Sequence, residues 1–74
     1  MKYSKREIKE YHEGINTARE DWVWCKNDKK RINECIRTRY DMKEMCKKRN
    51  DKNGISFQNG YLSYFFSKLK NKKN

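Results

Sequence analysis

Proline is absent from the 74 residues, and glycine occurs only three times. Without proline, nothing interrupts a helix by ring clash or by a missing N–H. His12 is the single histidine, so there is no second imidazole for a metal site or a proton relay. The three cysteines, Cys25, Cys35 and Cys46, are odd in number and lack CxxC spacing. They are expected as buried or half-buried free thiols, and neither a disulfide framework nor a zinc site is expected. No glycine-rich phosphate loop and no nucleophile elbow is present, so no catalytic constellation can be assembled. The longest apolar run, Trp22-Val23-Trp24-Cys25, is far short of the roughly 20 residues that span a bilayer. Residues 1–20 contain no apolar stretch of signal-peptide type. The expectation is a cytoplasmic protein that is not an enzyme, has no cofactor or metal, and has no integral membrane association.

What is present is charge and aromatic surface. Charged residues make up 41% of the chain, yet two Trp, five Tyr and three Phe can supply a compact core. Lys and Arg number 20 against 10 acids, a net charge of +10. Residues 1–24 are balanced, with five basic and five acidic groups. Residues 25–52 hold eleven basic groups against five acids, and residues 53–74 hold four lysines and no acid. The basic field therefore belongs to the later two-thirds of the chain and favours a polyanion. Lys, Asn, Ile, Tyr and Phe are used freely and Ala18 is the sole alanine. That usage fits AT-rich codons, as in a low-GC bacterium, its phages or its mobile elements.

The length suits one small domain over residues 1–74. Ser4 with Glu7 forms a capping box. Ile8, Tyr11, Ile15, Ala18, Trp22 and Cys25 follow at alternating steps of three and four, which predicts a helix over 4–26. Asn27 and Asp28 suit a turn or N-cap. Ile32, Cys35, Ile36, Tyr40, Met42 and Cys46 predict a second helix over 28–49. An antiparallel pair buries more apolar surface than one continuous rod. In Asn50-Asp-Lys-Asn-Gly54, Gly54 is expected to take the left-handed conformation that closes the second helix. Residues 55–64 carry two signals. Asn59-Gly60 could be the type I′ turn of a short β-hairpin pairing Phe57 with Leu62 and Ile55 with Tyr64. Leu62, Phe65, Phe66 and Leu69 share a helical face, with Ser56 or Asn59 as cap, and the length of Tyr61–Lys70 favours this aromatic helix. Residues 71–74 read as a frayed basic tail. The fold class expected is all-α, with the hairpin as the alternative at the C-terminal segment.

Two binding readings follow. Lys26, Lys29, Lys30, Arg31, Arg37, Lys47, Lys48 and Arg49, with Lys68 and Lys70, could contact phosphates and release counterions, as in a DNA-binding or other nucleic-acid-binding protein. Glu34, Asp41 and Glu44 interrupt that set. The alternative is a protein-binding modulator of a host factor, of phage type, with an acidic protein surface as partner. It would use Trp24, Arg39 and Lys43. Trp24 lies opposite the apolar stripe, where an exposed Trp suits a hot spot. Arg39 and Lys43 fall inside the stripe of the second helix. They must snorkel, meet an acid from the first helix, or face a partner. The heptad spacing of residues 8–25 would also serve a homodimer.

Overall fold

The computed structural model describes residues 3–71. Three helices follow one another: α1 at Lys5–Cys25, α2 at Lys29–Lys48 and α3 at Lys52–Asn71. No strand occurs among the described residues. Each helix has about 20 residues, and the principal extents of 36, 23 and 19 Å are those of three such rods side by side.

Local chemistry sets the ends. Ser4 Oγ accepts from Glu7 N–H at 3.1 Å, while Glu7 Oε1 accepts from Ser4 N–H at 2.9 Å, completing the capping box. Lys26 and Asn27 take left-handed conformations, with φ of 49° and 62°, and break the chain after Cys25. Asp28 then caps α2 by accepting from Lys30 N–H at 2.9 Å. A continuous α1–α2 rod is thereby ruled out. At the next turn it is Asn50, with φ of 56°, that is left-handed. Gly54 instead lies in the first turn of α3, and its N–H donates to Asp51 Oδ1 at 2.9 Å. So Asp51 caps α3, in place of Ser56 or Asn59, and α3 starts earlier than the sequence suggested. The expected frayed tail lies at 72–74, outside the described residues, except for Asn71, which ends α3.

The alternative β-hairpin is overturned. Asn59-Gly60 sits in the middle of α3, and the reason is a packing demand at Gly60. A Cβ there would collide with the main-chain carbonyl of Tyr11. A Cβ on Gly14 would likewise collide with the carbonyl oxygen of Phe57 and lie 3.0 Å from Tyr61 N. Each glycine thus receives the backbone of the opposite helix. Ala18 and Ser56, one turn from Gly14 and Gly60, are buried and extend the narrow contact.

α1 and α3 run in the same direction, since the N-terminal halves of both line one groove and Trp22 meets Phe65 with ring centroids 5.3 Å apart. α2 runs antiparallel to both. Cys46 Sγ lies at Gly54, and Cys35 Sγ lies 3.9 Å from Cys25 Sγ. The core comprises Ala18, Cys25, Ile32, Tyr61 and Phe65, with Trp22, Cys35, Ile36, Tyr64 and Leu69 around it. α3 supplies its two largest members. α1 and α2 make little direct contact except near their turn, because α3 sits against both.

The glycine contact gives a test of sign. On an exposed helix Gly→Ala stabilises by about 1 kcal/mol. Here Gly14→Ala and Gly60→Ala each force main chains apart, and each should destabilise by about 3 kcal/mol or more. Urea or thermal unfolding of the two variants checks this; a stabilised variant would contradict the close approach.

Candidate functional site

Topology sorts the basic residues by height. α1 and α3 end where α2 begins, so Lys26, Lys29, Lys30 and Arg31 share one end of the bundle with Lys68 and Lys70. Lys47, Lys48 and Arg49 lie at the other end, and Arg37 lies between. The candidate set is therefore not one continuous patch.

Several of these cations are already engaged. The Arg31 guanidinium lies 4.8 Å from the centroid of the Trp24 ring, donates to the Trp24 carbonyl at 3.2 Å, and stands 3.8 Å from Asp28. Lys68 lies over the Tyr64 ring at 5.5 Å, and Arg19 of α1 approaches the same ring at 5.9 Å. Lys68 thus belongs to the α1–α3 side. Lys47 pairs with Glu44 at 3.4 Å.

The outer face of α2 and α3 carries a more coherent arrangement. Tyr40 of α2 and Phe66 of α3 meet with centroids 6.4 Å apart, and each keeps close to half its surface exposed, at 45% and 44%. Arg37 and Lys47 lie three and seven residues from Tyr40, and Lys29 lies eleven away, all on the same side of α2. Lys70 is one turn beyond Phe66. Lys30, Asn33, Glu34 and Arg37 border this face as one shallow groove. Among the described residues no acid lies within ion-pairing distance of Lys29, Arg37 or Lys70. Two exposed aromatic rings on helix faces that also carry Lys29, Arg37 and Lys70 can stack bases and meet phosphates, while Glu44, one turn from Tyr40 on the same side, holds Lys47. Sequence reasoning placed Tyr40 and Phe66 in apolar stripes. The signal for their exposure is that neither is needed in a core already filled by Tyr61 and Phe65.

A second site opens where α1 and α2 splay apart. Its volume is about 170 Å³, and Asp21, Trp24, Glu34, Cys35, Thr38, Arg39 and Tyr61 line it. Tyr61 forms the floor and donates from its hydroxyl to Asp21 Oδ2 at 2.5 Å. Arg39 lies 3.8 Å from the same carboxylate and 4.2 Å from the Tyr61 ring centroid. It also donates to Gln58 Oε1 at 3.4 Å. Arg39 is thus met by an acid of the first helix, with 19% of its side chain exposed. Lys43, one turn along α2, is half-buried. Trp24 stands on the rim of the cleft with 55% of its surface exposed. The structure thus brings Trp24 and Arg39 to one cleft.

Burial raises the Tyr61 phenol well above its ordinary pKa, and the hydrogen bond to Asp21 adds to that. Burial also pushes the Cys25 thiol up to about 11, helped by its hydrogen bond to Cys35. No helix among the described residues is long and apolar enough to cross a membrane. No group of three or more metal-ligating side chains occurs among the described residues. No family model, curated protein or solved structure matches the chain.

These shifts set the sign of a pH dependence. The unfolded chain releases the Cys25 proton near 9, whereas the folded chain holds it to about 11. The stability this contributes is complete below 9 and is lost as pH rises through 11; Tyr61 adds a further loss starting above 10. Thermal melts from pH 7 to 11 under reducing conditions should show that fall. Cys25→Ala should flatten the portion that begins near 9. Tyr61→Phe should cost about 1–2 kcal/mol at neutral pH by deleting the bond to Asp21.

Proposed function

We propose that this chain is a non-enzymatic nucleic-acid-binding protein that takes single strands on the α2–α3 face. The observation that carries the reading is the exposed Tyr40–Phe66 pair set among Lys29, Arg37, Lys47 and Lys70. Aromatic faces accept any base by stacking, while neighbouring cations contact the backbone and release counterions. α3 has no acid and α2 has eight basic groups against three acids, so these two adjacent helices supply the field that draws in a polyanion. Lys30 extends this face, and Lys26, Lys48, Arg49, Arg31 and Lys68 serve as steering charge around it.

A second reading keeps a protein partner. Trp24 is large, rigid and more than half exposed, with Val23 exposed beside it, and Arg31 stacks on its ring. This cluster suits an acidic protein surface, with Trp24 as the anchor. Arg39 would act in it through the shape of the cleft, since its guanidinium is committed to Asp21 and Tyr61.

Fluorescence anisotropy of labelled single-stranded and duplex DNA, titrated with salt, tests the first reading. Binding should favour single strands and weaken steeply as salt rises. Tyr40→Ala or Phe66→Ala should each weaken it by about 1–3 kcal/mol. Arg37→Ala should weaken all sequences alike and reduce the salt slope by about one. Absence of binding at low salt would refute it. Capture of an acidic protein that survives moderate salt and is lost on Trp24→Ala would instead establish the second.

A further inference from the structure

The Cys25 and Cys35 thiols face each other with sulfurs 3.9 Å apart across the α1–α2 connection. We infer that they form an oxidisable dithiol, a site at which hydrogen peroxide installs a disulfide that staples α1 to α2. This inference is independent of the nucleic-acid reading. Three features of the molecule support it.

First, the sulfurs are already hydrogen-bonded neighbours, and about 2 Å of closure brings them to disulfide distance. Second, the two environments are unequal in a useful way. Cys25 is fully buried, whereas Cys35 is half-buried and lines the open cleft beside Asp21, Trp24 and Tyr61. A small oxidant entering the cleft reaches Cys35 first, and Cys25 waits behind it as the resolving thiol. The raised pKa of Cys25 agrees with that order, because the thiolate is the species that attacks peroxide. Third, Cys46 is remote. It is buried at the opposite end of α2 against Gly54, so it cannot compete for either sulfur.

The chemistry balances in two steps. The Cys35 thiolate attacks hydrogen peroxide; a sulfur–oxygen bond forms, the oxygen–oxygen bond breaks, and hydroxide leaves. The Cys35 sulfur is now a sulfenic acid, oxidised by two electrons, and the peroxide is reduced. Cys25 then attacks the Cys35 sulfur. The sulfur–sulfur bond forms, the sulfur–oxygen bond breaks, and the departing hydroxide takes the thiol proton as water. The product closes a short loop through the left-handed residues Lys26 and Asn27 and ties α1 to α2, two helices that make few direct contacts of their own.

The test uses the reduced full chain, treated with hydrogen peroxide, alkylated and digested with trypsin without reduction. Cleavage after Arg19, Lys26, Arg31, Arg37, Lys43 and Lys47 puts each cysteine on its own peptide. The expected product joins peptide 20–26 to peptide 32–37 with loss of two hydrogens, while peptide 44–47 is alkylated at Cys46. The intact oxidised protein should melt on the order of 10 °C higher than the reduced form. Cys46→Ser should oxidise identically. Cys35→Ser keeps the buried thiol in place and should lose the peroxide-induced rise. Recovery of Cys46 in the disulfide, of cross-linked dimers, or of Cys35 sulfinic acid beside an alkylated Cys25 would each overturn the assignment. So would an unchanged melting temperature, or a rise that persists in Cys35→Ser.

Discussion

Gly14 and Gly60 let the backbones of α1 and α3 touch, and the remaining architecture follows from that contact. Each glycine accepts a carbonyl of the other helix, so both positions reject even a methyl group. Gly14 with Ala18, and Ser56 with Gly60, place small residues one turn apart on each helix. Two parallel helices brought this close leave no width for large side chains between them. The large side chains of α3 are displaced to the flanks of the seam. Tyr61 and Phe65 stack with centroids 4.9 Å apart and fill the space beneath α2. Trp22 closes the seam edge-on to Phe65. α3 thus becomes the central element, although it comes last in the chain, and α1 and α2 are held apart except at their turn.

The splay between α1 and α2 would leave buried polar groups exposed to an apolar wall unless they met across it. Tyr61, Asp21, Arg39 and Gln58 solve this together. The phenol bonds the carboxylate, the carboxylate faces the guanidinium, and the guanidinium lies on the phenol ring and reaches the amide. No buried side-chain nitrogen or oxygen among the described residues lacks a partner. A half-buried arginine is tolerable here because it has one charged, one polar and two aromatic neighbours, Phe57 being the second ring at 5.7 Å. The network ties one side chain of α1 and one of α2 to two of α3. It therefore fixes helix orientation as much as it contributes stability.

Much of this was legible in the residues, and the misses have a common origin. Ser4 with Glu7, the three-four spacing through Cys25 and the Asn27-Asp28 break locate α1 and the start of α2 because each is a local signal. The Asn59-Gly60 pair is also a local signal, for a hairpin, and there it misleads. Gly60 serves a partner forty-nine residues away in Tyr11, and a long-range need of that kind leaves no mark on neighbouring residues. Gly14 reads locally as a cost to α1 for the same reason. Among the candidate binding residues, the cations of α2 are evident from composition, but Tyr40 and Phe66 are indistinguishable from core aromatics until Tyr61 and Phe65 occupy the core. The need for an acid opposite Arg39 could be stated from the sequence, and α1 offered several. Only the parallel packing of α1 on α3 selects Asp21.

The charge of the helices gives this packing an electrical consequence. α1 carries four basic and five acidic groups, whereas α2 carries eight and three, and α3 three and none. Had α1 lain between the other two, its carboxylates would have separated the positive helices. The glycine seam instead places α3 between α1 and α2, so that the two positive helices are neighbours along their length. Their mutual repulsion opposes folding, and the Asp21–Arg39, Asp28–Arg31 and Glu44–Lys47 pairs relieve it locally. A bound polyanion on the α2–α3 face would remove that repulsion while gaining from the same charges, so it must bind the folded chain more tightly than a chain in which those helices are apart. Added salt acts on both terms in opposite directions. It screens the repulsion between α2 and α3 and so favours the fold, and it would compete for the lysines and so weaken such a polyanion. A melting temperature that rises with salt while affinity falls would therefore trace both effects to one cause, the placement of α3 by Gly14 and Gly60.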